Sequence, residues 1–186
     1  MSTRPRGVTL VELIVFIVIV GVAMAGVFAA FNTITAASAN PQVNKQVLAI
    51  AESLMDEVAL MPFTYCDPDD PAAAAATGTG DCTAPVNGED AVIGPEAGET
   101  RYSATMPFDN VSDYHGFSMG PGIQDITNAT VGGLSAYSAS ITITQSGLGS
   151  IAAADALRIS ITVTGPGGVS TTLEGYRTRY APNSLP

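Results

Sequence analysis

Apolar positions fall into three patterns along the chain. From Val8 to Phe31 about two dozen residues run with a single charge, Glu12. At about 1.5 Å rise per residue, a helix of that length spans a hydrocarbon core of about 30 Å. From Val43 onward the pattern changes: Val43, Val47, Ile50, Leu54, Val58 and Met61 recur every three or four positions, with Glu52, Asp56 and Glu57 mostly off that stripe. That period predicts an amphipathic helix. Joined, the two stretches predict one long helix from about Val8 to Leu60, bent where Pro41 removes a backbone donor and ended by Met61-Pro62. Two helices broken at Asn40 are the alternative. In the last half the period becomes two. Tyr137, Ala139, Ile141 and Ile143 alternate with Ser138, Ser140, Thr142 and Thr144, and Leu157, Ile159, Ile161 and Val163 with Arg158, Ser160, Thr162 and Thr164. Each predicted strand has one apolar face. Gly165-Pro166-Gly167-Gly168 turns the chain into a third strand, Val169 to Tyr180. There Gly175 reads as a bulge, because Thr171 and Leu173 continue one face and Tyr176, Thr178 and Tyr180 the other. Neither the sheet nor the helical stripe can bury its apolar face alone, so the predicted core is one laid on the other, an α+β head.

Composition separates a further region. From Cys66 to Thr100 the chain holds Asp67, Asp69, Asp70, Asp81, Glu89, Asp90, Glu96 and Glu99, five consecutive alanines, several Gly and Pro, and no Lys or Arg. This predicts a loop. The formal net charge of the 186-residue chain is −10, and phosphate affinity comes from Lys and Arg, so nucleic acid is excluded as a dedicated partner. Arg4 and Arg6 precede the apolar run, and the next cation is Lys45. By the positive-inside tendency the N-terminus is cytoplasmic and the remainder extracytoplasmic, where a disulfide persists. Cys66 and Cys82, with no other cysteine available, are expected to pair; two free thiols are the alternative.

A carboxylate inside an apolar span is costly and normally has a partner. Cleavage between Gly7 and Val8 would supply one, because the new α-amino group lies four residues, about one helical turn, before Glu12. Gly7, Val8, Thr9, Leu10 and Glu12 resemble the signal of type IV prepilins and pseudopilins, although that family usually has Phe at the position of Val8. The resemblance implies that a dedicated prepilin peptidase cuts after Gly7 and methylates the new terminus. It also implies that Glu12 pairs with the amine of a neighbouring subunit during assembly, and that the fold is a pilin-like long helix packed on an antiparallel sheet. An ordinary signal peptide cut at Ala23-Met24-Ala25 is the competing reading, opposed by a charge at Glu12 and by apolar Val27, Phe28 and Phe31 beyond the cut. Three stretches narrow the resemblance: 49–58, 108–116 with Phe108-Asp109-Asn110-Val111-Ser112-Asp113-Tyr114-His115-Gly116, and Tyr176-Arg177-Thr178-Arg179-Tyr180. They are similar to the D-type minor pilins of the mannose-sensitive haemagglutinin pilus system.

Other candidate chemistry is weaker. Gly116-Phe117-Ser118-Met119-Gly120 matches the G-x-S-x-G elbow, but Gly120-Pro121-Gly122 discourages the helix that must follow. The chain's single histidine, His115, precedes the serine, so no catalytic residues are assigned and no enzyme is expected. His115 is expected to be a hydrogen-bonded loop residue. Asp67, Asp69 and Asp70, or Asp109 and Asp113, offer oxygen ligands to calcium, yet neither group follows the EF-hand spacing and exposed Asp in such loops usually caps turns. No metal or cofactor is assigned, and 109–114 is expected to be an ordered loop on the sheet.

The expected organisation is a leader over 1–7, a helix over 8–61 with 8–31 in the membrane, an acidic disulfide loop over 62–105, and the sheet of the head over 106–186. The expected function is that of a minor pilin, a subunit that waits in the inner membrane and joins an extracytoplasmic filament. Its expected partners are other pilins, the inner-membrane assembly platform, the prepilin peptidase and the membrane. A minor pseudopilin of a type II secretion system, and a single-span or secreted binding module, are the alternatives.

Overall fold

The computed structural model describes residues 7–89 and 93–185, and their side chains except those of 33–40. Arg4 and Arg6 of the leader, and Asp90 of the acidic loop, lie outside the described residues. The chain divides into two compact units between Gln42 and Val43.

Helix α1 runs Leu10–Leu60 with Pro41 inside it. In the first unit its stretch Leu10–Asn32 is 23 residues long and apolar enough to cross a membrane. Its large side chains are exposed, Phe16 by 64% and Phe28 by 68%, as expected of a surface meant for a solvent other than water.

In the second unit α1 has one buried face. Val47, Ile50, Ala51, Leu54 and Val58 are buried, with Val43, Met55 and Met61 partly so, which places the predicted stripe in the core. It meets an antiparallel meander in the order β1 (Ser118–Met119), β2 (Ser138–Gln145), β3 (Ala156–Thr164) and β4 (Ser170–Thr178). Register follows the alternation: Ala139 opposes Val163, Ile141 opposes Ile161 and Ile143 opposes Ile159, all buried, so each cross-strand pair adds to one apolar face.

Gly175 does not form a bulge. Pairing runs unbroken through β4, with Ile159 opposite Gly175 and Leu173 opposite Ile161. The inner face is Thr171, Leu173, Gly175 and Arg177, while Tyr176 points outward, 44% exposed. The reason for glycine is packing from the other layer: a Cβ there would stand 2.9 Å from Met55 Sδ of α1.

Over its described residues the acidic region is a loop with two short 3-10 turns, Thr79–Asp81 and Pro85–Asn87. Cys66, Ala73 and Ala76 form a small second core, bordered by Tyr65 and Cys82. The C-terminal segment fastens it: Asn183 Nδ2 donates to the carbonyls of Ala73 and Ala76, both at 2.9 Å, and the Arg179 guanidinium lies 4.0 Å from the Phe63 ring centre.

Candidate functional site

Thr9 and Glu12 close the start of α1 on itself. Glu12 Oε2 accepts from Thr9 N at 2.9 Å and from Thr9 Oγ1 at 2.8 Å, while Thr9 Oγ1 accepts from Glu12 N at 3.3 Å. This is a capping box, in which two N–H groups left orphaned at a helix start are satisfied reciprocally. Sequence reasoning missed it, although Thr-x-x-Glu before an apolar run is its signature. The box fixes the carboxylate at the first turn. It also commits only one oxygen, because both bonds to the acid end on Oε2. Gly7, Val8 and Glu12 line one shallow concavity with Leu13 and Phe16, so the expected cut and the expected acid share one surface.

Cys66 and Cys82 are joined, with Cα atoms 5.5 Å apart. Ser118 of the elbow-like motif lies in the two-residue strand β1, opposite Ser140, with a cis Gly120-Pro121 peptide after it. His115 Nδ1 accepts from Ile143 N at 3.1 Å and so ties the loop to β2.

The acidic residues separate into two kinds. Asp70 is a turn cap: burial raises its pKa, but bonds from Thr83 Oγ1, Ala72 N and Asn87 Nδ2 outweigh that and hold it at about 2. Asp67 and Asp113 are, like Asp70, buried rather than exposed as expected, but among the described residues each has one oxygen, Asp67 Oδ2 and Asp113 Oδ1, without a hydrogen-bond partner. Asn110, Ser112 and Tyr114 are buried beside Asp113, so 109–114 is the ordered packing segment that its sequence suggests.

An ion pair between a half-buried Glu57 and a buried Arg101 joins the helix to the sheet side of the head, and it too was not foreseen. Glu57 receives Arg101 bidentately, Nε to Oε1 and Nη2 to Oε2, both at 2.7 Å, and Tyr114 OH donates to Oε1 at 2.9 Å. Arg101 Nη1 completes the site by donating to the carbonyls of Gln124 and Asp125. Burial first, and then the Glu57 charge, push the Tyr114 phenol up, so it remains a donor. The available signal was that Arg101 is the first cation after Lys45, at the end of a long acidic run.

Residues 2–28 match the family model of the prokaryotic N-terminal methylation motif, a range that contains Gly7, Val8, Glu12 and most of the apolar span. No match is found among curated proteins, and none among solved structures. With the helix and the four-stranded antiparallel sheet, the motif makes an α+β, type IV pilin-like arrangement.

Proposed function

We propose that this chain is a minor pilin, a structural and assembly subunit of a type IV pilus of the mannose-sensitive haemagglutinin kind. A prepilin peptidase cuts between Gly7 and Val8 and methylates the new amine. The observation that carries the reading is the methylation motif at the head of an uncovered apolar helix. The chain then waits in the inner membrane with one span and its N-terminus on the cytoplasmic side. Platform proteins and neighbouring pilins draw it into the filament, where the exposed face of Leu10–Asn32 is covered by equivalent helices. The pilin-like family is structural, and the role proposed here is structural as well.

Within that reading the capping box has a use. A carboxylate left mobile in an apolar medium would be poorly placed to select one register of a neighbouring helix. Glu12 is held by Thr9 through Oε2, which leaves Oε1 for the amine of the next subunit. Charge pairing is strongest where water is excluded, and breaking one partner leaves the other ion uncompensated.

Glu12→Ala tests this directly. Removing the charge makes the span more apolar, so membrane insertion is retained or improved. Incorporation into filaments should fall. Processed protein is compared by blotting in membrane and sheared-filament fractions of cells carrying the rest of the pilus machinery. A mutant cleaved normally and found in filaments at the wild-type ratio would remove Glu12 from assembly.

A further inference from the structure

Six carboxylates from three separate stretches converge in the head: Asp67 beside the disulfide, Glu89, Glu96 and Glu99 farther along the same loop, and Asp109 and Asp113 in the segment before β1. Their oxygens form three overlapping triads, Asp67/Glu99/Asp109, Asp67/Glu89/Glu96 and Glu96/Glu99/Asp113, each within 4.8 Å. Two oxygens on one cation with bonds of about 2.4 Å can stand no farther apart than that. A surface cluster of acids would need no further explanation, but this one is buried. Asp67 is 2% exposed and Asp113 0%, and among the described residues Asp67 Oδ2 and Asp113 Oδ1 have no hydrogen-bond partner. Glu96 Oε2 and Asp109 Oδ1 are likewise buried and unpartnered. Orphaned buried polar atoms are rare and costly, and charged ones most of all.

Backbone groups hold the opposite oxygens of the two deepest acids. Asp67 Oδ1 accepts from Asp69 N at 2.8 Å, and Asp113 Oδ2 accepts from Asp109 N at 2.9 Å and Asn110 N at 2.7 Å. Each carboxylate is thereby oriented with one oxygen committed and one left over, the arrangement of a preformed ligand.

We propose that this cluster is a calcium site, which fastens the loop 62–105 to the 109–113 segment beneath the sheet. The donor set is all oxygen, with neither His nor Cys among the six, which suits a hard cation rather than zinc. Three carboxylate oxygens at a time lie within reach of one cation, in irregular loops that suit the flexible cage of six to eight oxygens calcium takes with water or carbonyls completing it, whereas magnesium demands near-octahedral geometry and keeps several waters. Proton affinities agree. Burial first, then the neighbouring acids, push Glu96 up to about 9, Asp113 to about 8 and Asp109 to about 7. Glu89 rises to about 8 through burial, although the Ser112 hydroxyl bond and the field of Arg179 both pull it down.

The test uses full-length protein in detergent, stripped with chelator and titrated with calcium in excess magnesium by calorimetry. At least one calcium should bind per chain and raise the thermal midpoint of the head. Asp109→Asn and Glu96→Gln should each weaken binding tenfold or more. In chelator at about pH 9, where these acids lose their protons, the same two variants should unfold at a higher temperature than wild type, because an amide removes like-charge repulsion. Glu174→Gln, on the outer face of β4, should change neither quantity. No calcium uptake by folded wild-type protein at millimolar concentration, or variants that bind as wild type does, would overturn the proposal. Neither readout depends on cleavage or filament formation, so it fails or holds independently of the pilin reading.

Discussion

The two halves of α1 meet the same need, removal of apolar surface from water, by different means. Over Leu10–Asn32 apolar residues surround the helix and its large side chains are exposed. Between Val47 and Val58 the buried apolar residues keep to one stripe, which β2 and β3 of the same chain cover, and Leu48 off that stripe is left exposed. A stripe selects a partner whose matching face is encoded nearby. A helix apolar all round selects a medium, or many copies of itself. Acidic residues differ in parallel: Glu12 keeps an oxygen uncommitted at an exposed helix start, whereas Glu57 is consumed inside the chain by Arg101 and Tyr114.

If that contrast is right, disturbing the head should alter stability and disturbing the first unit should alter assembly. The largest effect on stability is expected from titrating the carboxylate cluster in chelator, because it sums over Asp67, Glu89, Glu96, Glu99, Asp109 and Asp113, with Asp69 adding repulsion and Arg179 opposing it at Glu89. These pKa values are raised in the folded state, so the native chain binds more protons than the unfolded one between about pH 4 and the folded values. Stability should therefore be highest near pH 4 to 5 and fall as pH rises towards 9, the highest of the folded values. Asp70 works the other way: its lowered pKa gives stability that is present above about pH 4 and lost as pH falls towards 2. Thermal midpoints across pH check both limbs; a midpoint that rises from pH 5 to 9 would contradict the first.

Next in size is Glu57→Ala, which strands the buried Arg101 charge. Loss of one partner of such a pair costs about 3–5 kcal/mol. Phe16→Ala, in the other half of the helix, should leave the head's unfolding midpoint unchanged. Equal losses from the two would erase the distinction between the halves. Cys66→Ser should cost somewhat less, about 3 kcal/mol for a loop of this size on the chain-entropy model. Its effect should concentrate around Ala73 and Ala76, and hydrogen exchange that loosens β2 and β3 equally would place the disulfide in the main core instead.

Much of this architecture was legible because it is periodic. The three-to-four spacing of Val47, Ile50, Leu54 and Val58, and the alternation through Ile141 and Ile159, state their buried faces without reference to anything distant. A chain with two cysteines on an oxidising side leaves one intramolecular pairing. What escaped was set by residues far apart in sequence. Glu57 meets Arg101 across 44 positions, and Gly175 answers to Met55 on another layer. The carboxylate cluster draws on 67, 89, 96, 99, 109 and 113, so its members look like separate turn acids until the fold gathers them. The Thr9–Glu12 box was local and readable, but the charge of Glu12 drew the reading towards an external partner and away from its own helix.

Every assembly role proposed for Glu12 depends on cleavage after Gly7. Mass spectrometry of the N-terminus, on protein recovered from cells that carry the pilus machinery, decides it. The predicted result is a mature chain beginning at Val8 with a methylated amine. A chain beginning at Gly26, or one that retains residues 1–7, would contradict it.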